Sequence, residues 1–244
     1  MDKLIEAALQ TAHLPSLPDL VRDLQRLIDR GEDMAVIADL LGTDTGMVAR
    51  VIELANSAFY GHKNITRIFD AIHIIGLNRI ILFVRTAYCV EILEATDGDE
   101  VDMKAFWTRS YVAGLVSANI AERISYPQPD TIYTAGVMMY VGEIIRALIA
   151  EDMIENNIPC NQLAAAQMEI WGFPDILNVA IEFYPQPSLC PDRYALPASI
   201  IHLTDCIVSE RIDEIDPDAL NVTHLSNDDI EEISNEFKQI TLYQ

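Results

Sequence analysis

Few residues of this 244-residue chain have both the type and the spacing that catalysis needs. Its five histidines occur without an HExxH motif or a His-Asp dipeptide. Only the segment HLTD puts a histidine and a carboxylate, His202 and Asp205, three residues apart on one face of a predicted helix. Zinc or iron needs three or four converging ligands, and the same spacing suits an ordinary hydrogen-bonded pair. The pair therefore leaves a metal site and a structural role open.

The sequence has no GxSxG, P-loop or GxGxxG motif, and no serine or cysteine lies in a local signature of an activated nucleophile. Acidic residues occur in runs such as DEIDPDA and NDDIEE, which are typical of solvated surface rather than of a carboxylate dyad. The four cysteines form no CxxC motif and lie mostly in apolar runs. We therefore expect reduced, buried thiols in a reducing compartment.

Charge restricts the class of partner. The formal net charge of -22 repels the phosphates of nucleic acids and the surface of an anionic membrane. The N-terminal residues MDKLIEAALQTAHLP do not resemble a signal peptide, and no run of apolar residues is long enough to span a bilayer. The sequence predicts a cytoplasmic protein whose partner presents a neutral or basic protein surface, with neither nucleic acid nor membrane as partner.

Apolar residues recur at helical spacing almost throughout, and strand patterns are missing, so the sequence predicts an all-α fold. The acidic linker EATDGDEVD divides it into two packed helical subdomains, residues 1–95 and 96–212. Residues 213–244 form an acidic segment with a docking helix, whose start is marked by Ser226 and Asp229. Single helices are expected over 130–151 and 197–212.

The segment DMAVIADLLGTDTGMVARVIELAN has the layout of a helix-turn-helix. A DNA-reading helix needs cations for phosphates, but residues 43–55 offer only Arg50, opposed by Asp44 and Glu53. A packed helical corner is the favoured interpretation, and DNA binding is the alternative.

The segment YTAGVMMYVGEIIRALI predicts an almost wholly apolar helix that contains Gly136 and Gly142. A glycine inside a helix costs up to ~1 kcal/mol relative to alanine, so the structure must require both. They could permit close packing of neighbouring helices, or line an active site that lacks its chemical groups.

Two motifs near the N-terminus, LPSLPDL and LANSAFYG, lie about forty residues apart. Together they resemble the start of the HDOD domain, a bacterial signalling module related to the HD-type metal phosphohydrolases. The likeness continues through AIHIIGLNRI, FWTRS, YTAGVMMYVGEI, WGFPDIL and SIIHLTDCI and covers most of the chain. The resemblance implies a multi-helix, HD-related fold. The residue types in these motifs favour turn and packing roles for Leu14, Pro15, Pro18, Asn56, Ser57, Tyr60, Gly61 and Trp107.

The resemblance also implies where a metal site would lie. The first histidine of the HD ligand set falls on Arg109, and the His-Asp pair falls on Met139 and Tyr140. A further pair of histidines falls near Phe183 and Tyr184, so Asp205 alone keeps a ligand type. A guanidinium has no lone pair to donate. We therefore expect no metal and no cofactor.

The sequence favours a non-catalytic signalling or regulatory module that acts through protein–protein contacts. One alternative is a phosphohydrolase, or a sensor of a nucleotide or small anion, that uses a remnant pocket. Its candidate residues are Arg109, Met139, Tyr140, His202 and Asp205. Within this pocket Arg109 is expected either to bind an anion or to form an internal salt bridge with Asp205.

Overall fold

The computed structural model describes residues 2–56, 64–95, 102–149 and 157–241. These residues form helices and turns without a β-strand, which confirms the all-α prediction. The first six helices are α1 (Lys3–Ala12), α2 (Asp19–Asp29), α3 (Met34–Leu41), α4 (Thr45–Ala55), α5 (Ile68–Ile75) and α6 (Leu77–Glu94). The others are α7 (Met103–Arg123), α8 (Pro129–Met138), α9 (Val141–Leu148), α10 (Cys160–Ile170), α11 (Asp175–Phe183), α12 (Asp192–Val208), α13 (Pro217–Thr223) and α14 (Asn227–Thr241). Short 3-10 helices span Pro187–Leu189 and Ile212–Glu214.

The chain divides into a smaller unit, residues 16–92, and a larger unit, residues 1–15 with 93–244. This division corrects the expected N-terminal boundary of 1–95, because α1 packs against α9 and α10. The indole N–H of Trp171 also donates to the carbonyl of Pro15 at 3.3 Å. Sequence separation concealed this contact, since α1 looks locally like any other amphipathic helix.

In the smaller unit, Asp44 joins two helices. Its carboxylate accepts the backbone N–H of Met47 at 2.9 Å, so it caps α4 as the sequence predicts. Its other oxygen accepts the hydroxyl of Tyr88 on α6 at 2.5 Å, and this hydrogen bond holds the pKa of Asp44 below its usual value. Arg50 pairs with Glu91 at 2.8 Å and thereby joins the same helices.

Three residues of the LANSAFYG motif, Leu54, Ala55 and Asn56, belong to the described part of the chain, and Asn56 makes its polar contacts. Its side-chain amide donates to the carbonyls of Ile52 at 2.9 Å and Ile65 at 2.8 Å, and it accepts the N–H of Ile65 at 2.8 Å. Asn56 therefore satisfies backbone groups of Ile52 and Ile65, as expected for a residue at a helix end. Ser57, Tyr60 and Gly61 lie outside the described residues.

In the larger unit, the helix predicted over 130–151 is broken. Helix α8 ends at Met138 and packs mainly on α7, whereas α9 begins at Val141 and packs on α10. The two helices thus pack against different partners, and the turn at Met139 and Tyr140 changes the direction of the chain between them. The apolar pattern alone did not reveal this change of partner.

The two glycines of this stretch lie where helices approach closely. A Cβ atom on Gly136 would lie 2.4 Å from Ser117 Oγ and 2.6 Å from the carbonyl oxygen of Ala113, both on α7. A Cβ atom on Gly142 would lie 1.8 Å from the carbonyl oxygen of Cys160, at the start of α10. The packing explanation for both glycines is confirmed.

Helix α12 begins at Asp192, five residues before the expected start, and contains Pro197. Proline removes one backbone hydrogen bond near the helix start, but the helix is buried from Pro197 to Ile207, so packing outweighs that loss. The helix ends at Val208 rather than at residue 212. Arg211 therefore lies beyond the helix, from where its side chain reaches back to Asp205.

The structure places the predicted docking helix, α14, against α7 and α12. Ser226 Oγ accepts the N–H of Asp229 at 3.2 Å, and Asp229 accepts the N–H of Ser226 at 2.8 Å, which is the expected capping arrangement. The side chains of Ile230 and Ile233 are fully buried. Among the helices of the described ranges, none has the length and apolar character that crossing a membrane requires.

The contact at Gly142 predicts that Gly142→Ala lowers the free energy of unfolding of the larger unit by about 2 to 3 kcal/mol, since the backbone of Cys160 must move. Urea denaturation measures the loss. Gly46→Ala, on α4 of the smaller unit, is the control, because the nearest atom to its Cβ would be Asp44 Oδ1 at 3.4 Å, an ordinary contact distance. An equal loss in both variants would contradict the assigned contact.

Candidate functional site

The candidate site is centred on Asp205, a side chain of α12 that is only 12% exposed. One carboxylate oxygen accepts the hydroxyl of Tyr140 at 2.9 Å and, more weakly, that of Ser209 at 3.3 Å. The other accepts Nη2 of Arg211 at 2.6 Å. The carboxylate is thus neutralised and hydrogen-bonded by the chain itself.

Tyr140 reaches Asp205 because the turn between α8 and α9 carries its ring inward. Burial, together with the nearby Asp205 carboxylate, raises the pKa of the Tyr140 phenol far above its usual value. Tyr140 therefore acts as a neutral hydrogen-bond donor. Met139, the preceding residue in the sequence, is fully buried.

Arg109 does not pair with Asp205, so the internal salt bridge, one of its two expected roles, is wrong. Its guanidinium carbon lies 4.0 Å from the centre of the Tyr140 ring, and its Nη2 pairs with Glu143 on α9. Both charged side chains are partly exposed. Asp205 forms its salt bridge with Arg211 instead. Helix α12 ends at Val208, so the residues after it can turn back and bring Arg211 to Asp205.

His202 is buried about one helical turn before Asp205, and its ring nitrogens form hydrogen bonds with backbone groups rather than with the Asp205 carboxylate. Its Nε2 lies 2.8 Å from the backbone N–H of Asp216, which can only donate, so Nε2 accepts. Its Nδ1–H then donates to the carbonyl of Tyr184 at 2.9 Å. This neutral imidazole joins α12 to the end of α11 and to the start of α13, and burial holds its pKa below the usual value.

Cys206 is the only thiol of the described residues for which a hydrogen-bond contact to a histidine is found: its Sγ lies 3.7 Å from His202 Nε2. Burial, with the Asp205 charge, raises the pKa of this thiol to about 12. The sulfur and imidazole are therefore both neutral near pH 7. This is the opposite of the thiolate that nucleophilic catalysis uses.

The structure thus brings together Arg109, Tyr140 and Asp205, and it gives His202 a separate role. Sequence reasoning missed Arg211, Ser209 and Glu143. Arg211 had a usable signal, since it is the one cation that follows Asp205 closely in an acidic segment. Within the described ranges, no group of three or more His, Cys, Asp or Glu side chains could hold a metal ion.

Comparison with known proteins identifies the family. The sequence model of the HDOD domain matches residues 14–159, more than half of the chain. The chain belongs to the HDOD family. The resemblance seen in the motifs is therefore confirmed. No curated protein matches this HDOD chain significantly.

Several solved structures share the fold of this HDOD protein. An HDOD domain protein of unknown function from Geobacter sulfurreducens is 21% identical over 96% of this chain and 98% of its own, with a TM-score of 0.62. A candidate signal transduction protein from Marinobacter aquaeolei VT8 is 20% identical over 97% of this chain and 61% of its own (TM-score 0.70). A candidate phosphohydrolase from Shewanella amazonensis SB2B is 17% identical over 98% of this chain and 94% of its own (TM-score 0.68). At these identities the likeness concerns the fold alone.

The two arginines of the HDOD site give a comparative prediction. Arg211→Ala leaves the buried Asp205 carboxylate without its cation, and because Arg211 itself is 45% exposed we expect a loss of about 1 to 2 kcal/mol in unfolding free energy. Arg109→Ala breaks a partly exposed pair and should cost less than about 1 kcal/mol. Urea denaturation of both variants measures the difference. A larger loss of unfolding free energy in Arg109→Ala than in Arg211→Ala would show that Arg109 is the principal counter-ion of Asp205.

His202 predicts a pH dependence of stability. Its pKa in the folded chain lies below the unfolded value of about 6.5, so the unfolded chain binds the extra proton first as pH falls. The stabilising contribution is complete above about pH 6.5 and is lost as pH falls through the folded-state pKa. Parent and His202→Gln are compared by urea denaturation between pH 7.5 and pH 5.5. The parent should lose more stability, and equal losses would contradict the prediction.

Proposed function

We propose that this HDOD protein is a non-catalytic signal-transduction module that acts through contacts with other proteins. One observation carries the proposal: the only carboxylate at the expected ligand positions, Asp205, is neutralised by Arg211 of the same chain at 2.6 Å. A guanidinium is permanently charged and covalently attached, so it can neither exchange nor activate water as a metal ion does.

The other residues at these positions do not fit a divalent metal. Arg109 has no lone pair, the buried Met139 thioether is a soft donor, and the Tyr140 hydroxyl already donates to Asp205. Hard cations require several oxygen or nitrogen ligands. We therefore assign no catalytic step to a metal at this site and propose that the chain needs no cofactor.

An anion sensor at Arg109 is the second candidate. The guanidinium is partly exposed and therefore accessible to an anion in solution, and its contact with the Tyr140 ring helps to fix its position. Its pairing with Glu143 weakens this candidate, because an anion would have to displace a carboxylate. DNA binding is disfavoured in the same way, since Arg50 already pairs with Glu91.

A partner protein should present neutral or basic residues, because the net charge of this chain is -22. We further propose that the protein works in the cytoplasm. Both proposals rest on composition, and neither depends on the geometry of the Asp205 cluster.

The proposal predicts that the purified, tag-free protein, dialysed without chelator, contains less than about a tenth of an equivalent of iron, manganese or zinc. Mass spectrometry measures the metal content. Hydrolysis of a phosphomonoester and a phosphodiester is then assayed with each metal added, beside an HD-type phosphohydrolase as positive control. No turnover above buffer is expected. A stoichiometric metal together with turnover would refute the non-catalytic assignment.

A further inference from the structure

The negative charge of the chain is concentrated in the larger unit. Residues 16–92 contain ten acidic and eight basic residues, whereas the rest of the chain contains 28 acidic and eight basic residues. Within the larger unit, residues 210–236 hold ten acidic residues and a single arginine. The field of this unit therefore attracts basic groups.

Two large apolar side chains of this unit are exposed on adjacent elements. Leu189, in the 3-10 helix Pro187–Leu189, is 67% exposed, the highest value for a large apolar side chain in the described parts of the chain. Val222 on α13 is 37% exposed. The 3-10 helix packs against α13, so the two side chains lie on neighbouring elements of the larger unit. A single exposed apolar residue is ordinary, but this pair lies in an acidic surrounding.

Three exposed carboxylates lie on α13 and on the helices that precede and follow the 3-10 helix in the chain. Asp218 lies four residues before Val222 on α13 and hence on the same helix face. Asp192 follows Leu189 by three residues at the start of α12, and Glu182 lies in the last turn of α11, which precedes the 3-10 helix. Throughout the described ranges, no salt bridge involves any of these three carboxylates.

We propose that Leu189, Val222, Glu182, Asp192 and Asp218 form a docking surface for a basic amphipathic segment of a partner protein. This inference rests on the proposed function and adds the chemistry of the partner. Apolar side chains of the segment cover Leu189 and Val222, while its lysines or arginines meet the unpaired carboxylates. A second copy of this chain is a poor occupant, because it would bring the same negative charges together.

The test uses the full chain and three fluorescein-labelled synthetic peptides. The first carries lysine and leucine at the spacing of an amphipathic helix. The second replaces each lysine by glutamate, and the third replaces each leucine by serine. Binding is followed by fluorescence anisotropy at an ionic strength of about 0.1 M. Only the first peptide should bind the parent protein with measurable affinity.

Variants then locate the surface. The double variant Leu189→Ser/Val222→Ser should bind the first peptide about tenfold more weakly, whereas Ile170→Ser should bind like the parent. Ile170 is the matched control because it is 54% exposed at the end of α10 in the same unit. Glu182→Gln/Asp218→Asn should weaken binding and its salt dependence more than Glu122→Gln/Glu231→Gln, which removes equal charge elsewhere.

Several results would overturn the inference: no binding of the first peptide, unchanged affinity in Leu189→Ser/Val222→Ser, an equal loss in Ile170→Ser, or equal binding of the lysine–serine peptide. Sedimentation is measured in parallel. A dimer that Leu189→Ser/Val222→Ser dissociates would assign the surface to self-association instead. Phosphohydrolase activity would refute the proposed function without changing peptide binding, so the two failures are distinguishable.

Discussion

A carboxylate that is mostly removed from water must be compensated, and in this protein the arrangement around Asp205 follows from that requirement. The hydrogen bonds and positive charge that it needs come from Tyr140, which is distant in sequence, and from Ser209 and Arg211, which follow Asp205 closely. Arg211 also pairs with Glu214, at 2.8 Å, in the segment that follows α12. The same carboxylate therefore joins the turn between α8 and α9 to the start of the acidic C-terminal residues. His202 adds a second connection to that segment through Asp216.

Close helix packing decides whether this network can form. Helix α8 lies against α7 with Gly136 facing the carbonyl of Ala113, and α9 lies against α10 with Gly142 facing the carbonyl of Cys160. A larger residue at either position would move a helix that borders the turn carrying Tyr140. The position of one buried hydroxyl thus depends on two glycines in neighbouring helices. The cost of glycine within a helix is offset by the contacts that it permits.

Under the proposed function, the Asp205 cluster differs chemically from a metal site in the same fold. A metal ion bound at such a position is exchangeable and polarises its ligands, whereas a guanidinium from the same chain provides charge without either property. Conserving the helical frame does not require conserving the reaction, since packing and catalysis depend on different side chains. For the function that we propose, the relevant part of the molecule is its surface. There the larger unit combines a strong negative field with exposed apolar side chains.

Local features were predictable from the sequence because the interacting groups lie within about one helical turn of each other. The caps at Asp44 and at Ser226 with Asp229 belong to this class, and so does the helical character of the chain. The family motifs also indicated which residue types occupy the expected ligand positions. These inferences needed only periodicity, side-chain chemistry and spacing.

Tertiary structure alone decided which of these elements meet. The sequence suggested Arg109 as the partner of Asp205, but the early end of α12 brings Arg211 to this carboxylate, and Arg109 pairs with Glu143 instead. The break after Met138 and the association of α1 with the larger unit have the same origin. Each depends on which helix surfaces pack together over long sequence separations. That choice is made by the summed burial of many side chains, and no short motif records it.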